Sequence, residues 1–165
     1  MKQTRKPHRL GPGDPALGPV LELIRDSFAY MDGRIDPPSS MLRLSTDDLS
    51  AAAQSGEIWA IGNPPLACVI LQLRPDALYL GKLAVAQSAR GQGLARMLVD
   101  HAAARARALG RGRLELQTRV ELVENHATFA RLGFVETGRT AHAGYDRPTS
   151  ITMSKALGPD RASSR

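Results

Sequence analysis

Apolar residues fall into two rhythms along the chain, and the change from one to the other divides it. Leu17, Val20, Leu21, Ile24 and Phe28 stand at i, i+3, i+4, i+7 and i+11, the stripe of an amphipathic helix. Asp14-Pro15 or Gly18-Pro19 can open it, since proline suits a first turn, and it ends near Asp32-Gly33. Asp36, Pro37 and Pro38, followed by Ser39 and Ser40, then enforce a loop. A short second helix is predicted from Thr46 to Gln54, with Ser45 or Thr46 as N-cap. From Glu57 the period falls to two. Glu57–Ile61, Leu66–Leu73 and Leu78–Val85 read as strands of an antiparallel meander, with Pro75-Asp76 turning the chain before the third. Leu94, Met97, Leu98, Ala102 and Leu109 return to helical spacing within Gly91–Leu109, which Gly110 closes. Leu114–Thr118 alternates as a strand, Leu122–Leu132 is helical up to Gly133, and Phe134–Thr140 and Ser150–Lys155 are two last strands around a loop. This order predicts a single α/β domain with a mixed, mostly antiparallel sheet flanked by helices.

Composition narrows the class. The 165 residues suit one domain, and 42% hydrophobic content is too high for a disordered chain. Cys68 is the one cysteine, so no internal disulfide and no cysteine-rich metal site is expected, and no metal is assigned. The longest apolar run, Leu66–Leu71, is far short of a membrane span, and the basic N-terminus leads into no apolar segment of the kind a signal peptide needs. No membrane association and a cytoplasmic location are therefore expected. Residues 1–8 are read as a basic flexible tail, 9–157 as the domain and 158–165 as a second flexible tail.

Net charge is +6, but it is unevenly placed. Residues 1–9 carry +4, residues 10–89 carry −4, and residues 90–119 carry +5. The body is dipolar: a cationic central segment suits an anionic ligand, and an acidic N-terminal half suits a cationic one. A nucleic-acid partner is disfavoured, because only 4% of residues are aromatic and the charge sits in the tails and one helix.

Leu83 to Ala95 carries the chemistry. A strand runs out, a Gly-rich turn follows, and a long helix opens directly from it. The first turn of a helix offers unpaired N–H groups and a positive dipole end. Gly91 and Gly93 remove side chains that would hold a diphosphate away, while Arg90 and Arg96 add charge. The spacing matches neither a dinucleotide fingerprint nor a P-loop. It is a phosphate cradle.

Arg90-x-x-Gly93-x-Ala95 after Leu83-Ala84-Val85 resembles the acetyl-CoA motif of the GNAT superfamily of N-acetyltransferases, and Asn125 through Phe129 to Leu132-Gly133-Phe134 resembles its second signature, a helix ending in Leu-Gly-Phe. The element order is similar to that fold from residue 9 to 155. The resemblance implies acetyl-CoA as co-substrate and an amine acceptor, either a small molecule or a peptide. It implies that backbone N–H groups of Arg90, Gly91, Gln92, Gly93, Leu94, Ala95 and Arg96 hold the pyrophosphate. It also implies that the edge of Leu83, Ala84 and Val85 pairs with the pantetheine arm, that the thioester enters a gap between this strand and the one carrying Leu114, and that the chain can form a homodimer.

Two positions depart from the pattern. Where the family often has a tyrosine that protonates the leaving thiolate, this chain has Phe129, which packs in the core or beside the cofactor. The family's usual helix asparagine is displaced: position 122 is Leu, and Asn125 stands one turn later on roughly the same face. A free thiol has a pKa of about 8.5, so a thiolate can leave near neutral pH without a dedicated acid. Tyr145 ranks first as a substitute acid, with Tyr79 the other phenol considered. For the base, Glu115 faces either the cleft or solvent, and His126 and His142 are further candidates because an imidazole changes protonation near neutral pH. Asp26, Asp32 and Asp36 point to a cationic amine acceptor, although Asp36 equally suits a cap before Pro37. The competing reading is a catalytically silent acyl-CoA-binding or regulatory module.

Overall fold

Seven strands hydrogen-bond in the order β1-β2-β3-β4-β5-β7-β6 in the computed structural model, which describes residues 6–31, 33–38 and 43–158. The strands are β1 (His8–Leu10), β2 (Glu57–Ile61), β3 (Ala67–Leu73), β4 (Leu78–Val85), β5 (Arg113–Arg119), β6 (Val135–Thr140) and β7 (Ser150–Ala156). The helices are α1 (Leu17–Phe28), α2 (Thr46–Ser55), α3 (Leu94–Ala108) and α4 (Val123–Arg131). Every pairing is antiparallel except β4 with β5. The mixed α/β architecture expected from the two rhythms is the one observed. Among the described residues no helix is long and apolar enough to cross a membrane.

The sheet buries both faces. Val20, Leu21 and Ile24 of α1 and Leu49 and Ala53 of α2 cover one side with Ile58, Ala60 and Ile70. Leu94, Leu98, Ala102 and Ala106 of α3 cover the other, against Val69, Leu71, Leu114 and Leu116. Ser45 caps α2 in a reciprocal box: its hydroxyl accepts from Asp48 N–H, and the Asp48 carboxylate accepts from Ser45 N–H.

Two differences from the expected elements have clear causes. His8 and Arg9, read as a tail and its boundary, lie in an edge strand paired with β2, with Leu10 only 3% exposed. Three residues are too few to show a period, and the open edge of β2 supplies their hydrogen bonds. The central helix starts at Leu94 rather than Gly91. Gly91 and Gly93 adopt φ of +80° and +78°, left-handed backbone that an α-helix cannot contain.

Candidate active site

The site begins where two strands part. β4 and β5 pair only at Leu78–Leu114 and Tyr79–Glu115; beyond these the parallel strands diverge. A cleft of about 1150 Å³ opens in the fork, lined on one arm by Leu80 to Val85 and on the other by Leu116 to Arg119. The divergence inferred from family resemblance is present.

β4 carries a bulge on this arm. Cys68 pairs with Ala84 and Ile70 with Gly81, so Val69 alone faces Lys82 and Leu83. The extra residue reverses the strand's alternation. Before it, Leu78 and Leu80 point to the α3 side; after it, Ala84 points to the α1 side, and Leu83 and Val85 pack toward α3. Lys82 takes φ +52°, the one non-glycine in the left-handed region among the described residues. Cys68 fills the bulge: its thiol donates to Lys82 O at 3.7 Å, and burial pushes its pKa up to about 12.

Below the fork lies the cradle. Met97 N–H, donating to Gly93 O at 3.0 Å, begins the α3 ladder. The N–H groups of Leu94, Ala95 and Arg96 precede that first bond. A Cβ built on Gly91 or Gly93 would meet no protein atom within 4 Å, so the space over the turn is open to a ligand. Arg90, Gly91, Gly93, Leu94 and Ala95 line the cleft there; Gln92 and Arg96 are not among its lining residues. Across from them, Asn125 and Phe129 of α4 also line it. Phe129 meets Phe134 edge-on, with ring centroids 6.0 Å apart, and offers no proton. The residues suit a nucleotide diphosphate followed by an extended arm along β4, although Val85 O already accepts from the Ser27 hydroxyl at 3.3 Å.

The acid–base candidates separate. Tyr145 is not among the cleft-lining residues. Its hydroxyl donates to Asp36 Oδ1 at 2.6 Å, and this bond raises its pKa above the usual tyrosine value, weakening it as an acid. Glu115 does not line the cleft either; it pairs with Arg113 at 3.3 Å. His126 is also outside, with Nε2 on Arg119 O at 2.8 Å. Tyr79 and His142 do line it. Burial raises the Tyr79 phenol above its usual value, and His142 Nδ1 is hydrogen-bonded to the Thr149 hydroxyl.

Of the acids expected beside the acceptor, neither Asp26 nor Asp36 is among the cleft-lining residues. Asp36 gives its second carboxylate oxygen to Arg147 at 3.1 Å, Asp26 is exposed and off the cleft, and Asp32 lies outside the described residues. Lys82, Arg34 and Arg119 line the cleft instead. A lone lysine within a strand carries no sequence signal of a site, and Arg119 becomes a cleft residue only through the divergence of β5. Half-burial of a lysine, visible only in the fold, is the signal that singles out Lys82.

Residues 20–134 match the family model described as acetyltransferase (GNAT) family. An acetyltransferase from Streptococcus agalactiae 2603 superposes with a TM-score of 0.73 at 18% identity, covering 94% of this chain and 100% of that one. The ribosomal-protein-S18-alanine N-acetyltransferase from Escherichia coli gives 0.69 at 20%, covering 95% and 96%. A GNAT family acetyltransferase from Elizabethkingia anophelis, with acetyl-CoA bound, gives 0.66 at 17%, covering 94% and 100%. At these identities the structures show a shared fold. No curated protein matches the chain.

Proposed function

The chain belongs to the GNAT acetyltransferase family, and on that premise we propose that it transfers the acetyl group of acetyl-CoA to the nitrogen of an amine acceptor by direct attack. The observation that carries this reading is the coincidence of the helix-opening cradle and the β4–β5 fork in one continuous cleft.

In this reading the N–H groups around Gly93 and the first turn of α3 bind the pyrophosphate, with Arg90 adding charge. The free edge of β4 near Leu83 and Ala84 orients the pantetheine amides as an added strand would. Asn125 and Phe129 close the opposite wall. Bound acetyl-CoA supplies a thioester, an acyl group already activated for transfer. The acceptor nitrogen enters from the loop side of the fork, past Phe28, Met31 and Ile35. His142 is the cleft residue suited to take its proton: Nδ1 is engaged by Thr149, leaving Nε2 for the exchange. Tyr79, which lines the cleft where Tyr145 does not, is the phenol to protonate the departing thiolate, its raised pKa keeping it protonated near neutral pH. Small-molecule and peptide amines both suit this scheme, and a cytoplasmic location agrees with it.

A CoA-binding protein without turnover is the second reading, favoured by Phe129 and by Tyr145 and Glu115 standing outside the cleft lining. Calorimetry with CoA, followed by a thiol-release assay over a panel of amines with acetyl-CoA, decides between them. Binding at micromolar concentration with release for at least one amine is expected. Binding without release from any amine supports the silent module, and no heat with CoA removes both.

A further inference from the structure

Four cations among the described residues line the cleft, and three of them, Lys82, Arg90 and Arg119, have no anionic partner among those residues. Arg34 is paired with Glu124 at 2.7 Å. Arg90 belongs to the cradle. Arg119, on the β5 arm, donates to Pro37 O at 2.8 Å and Pro38 O at 3.5 Å, which are neutral carbonyls and leave its charge uncompensated. Lys82, on the β4 arm, is half-buried, and its ammonium makes no hydrogen bond or ion pair with any described residue, its backbone carbonyl alone accepting from Cys68.

The two acids among the described cleft-lining residues, Asp48 and Glu124, are committed elsewhere, as is Asp36 beside the loop. Asp36 serves Tyr145 and Arg147, Asp48 caps α2, and Glu124 holds Arg34. A lysine buried without a counter-charge is costly, and burial holds the Lys82 ammonium below its usual pKa. Its position in left-handed backbone at the bulge adds to the cost. Such an arrangement is relieved when an anion enters the fork.

Building on the transferase reading, we propose that Lys82, with Arg119 on the other arm of the same cleft, receives a carboxylate carried by the acceptor, so that the substrate is an anionic amine rather than the cationic one suggested by the acidic N-terminal half. The same two positive charges favour the neutral form of the acceptor's amino group, because a nearby cation disfavours an ammonium. One pair of residues thereby selects the substrate and prepares its nitrogen for attack, which reduces the demand on a base. Free amino acids and peptides with an acidic residue beside the N-terminus both present this chemistry.

Calorimetry on the full chain, with and without CoA, tests the assignment. The probes are the twenty amino acids against their C-terminal amides, and amidated Ala-Asp against amidated Ala-Asn. At least one carboxylate should bind roughly ten- to a hundredfold more tightly than its neutral partner, the gain of one charge-assisted hydrogen bond. The pair showing it tells a free amino acid from a peptide. Lys82→Gln should bring that ratio close to one, and Lys82→Arg should retain it, with melting curves confirming that both variants fold. Equal binding of acids and amides, no binding of either, or an undiminished ratio in Lys82→Gln overturns the proposal. Thiol release is read separately: carboxylate discrimination without release keeps the anion site and removes the transfer reaction.

Discussion

Gly93 ends its loop at φ +78° and is the N-cap of α3, so one residue both turns the chain and bares the N–H groups behind it. An alanine there would hold left-handed backbone at a cost of roughly 1–2 kcal/mol. Its methyl would stand in the space left open for the ligand. Gly93→Ala is therefore expected to lower the melting temperature modestly and to weaken CoA more than about tenfold, beyond what a global loss of stability explains. Calorimetry beside a thermal melt checks this, and an unchanged CoA affinity would show that the turn does not grip the diphosphate. Such glycines are legible in a sequence because their role is local: Gly91 and Gly93 stand between a strand and a helix and can be read in order. Lys82 is not legible in this way. In a regular strand it would follow the alternation of its neighbours, and its exceptional position arises from a bulge created opposite Val69.

Among the elements, the link between β2 and α3 carries the clearest energetic consequence. Arg105 of α3 holds Glu57 of β2 through two bonds, of 2.9 and 2.6 Å, and Trp59 Nε1 donates to the same carboxylate at 2.8 Å. His101, one turn before Arg105, sets its ring against Trp59 with centroids 4.0 Å apart. Glu57 is 7% exposed, so its charge depends on these donors. Arg105→Ala should cost about 2 kcal/mol, the scale of a hydrogen bond to a charged group, measured by urea unfolding. The Arg105 bond also holds the Glu57 pKa below its ordinary 4.5. A depressed carboxylate contributes stability above its unfolded value and loses it as the pH falls through the folded one. Wild-type stability should therefore fall more steeply below about pH 4.5 than that of Glu57→Gln; parallel curves would show that the pair has no such role. The elements themselves were readable. The Ser45–Asp48 capping box, the stripe of α1 and the alternation of β5 fix structure over a few residues each. The strand His8–Leu10 was not, because its hydrogen bonds come from β2 some fifty residues away.

For the whole molecule, the loop between β6 and β7 fastens onto the segment between α1 and α2. Tyr145 and Arg147 reach Asp36, Arg119 reaches Pro37 and Pro38, and Glu121 accepts from Asp36 N–H at 3.1 Å. These bonds border the loop side of the fork, the side by which the acceptor enters in the proposed function. A positioning role for Tyr145, rather than proton transfer, is the reading its bond to Asp36 favours. Tyr145→Phe should raise the KM of the acceptor while leaving the alkaline limb of the kcat–pH profile in place; a shifted limb would return the residue to the role of acid.

Periodicity, glycine placement and local charge sufficed to order the elements, to mark the Gly-rich turn that opens α3 and to identify the family resemblance, because each depends on neighbours a few positions apart. The cleft itself depends on relations the sequence does not display. Leu78–Leu114 and Tyr79–Glu115 join two strands that then separate, a bulge reverses the faces of β4, and distant loops draw Asp36 and Tyr145 together outside the cleft lining. Which side chains meet across a fork is set by packing between elements far apart in the chain. That is why Lys82 and Arg119 line the cleft while Asp26 and Asp36 do not.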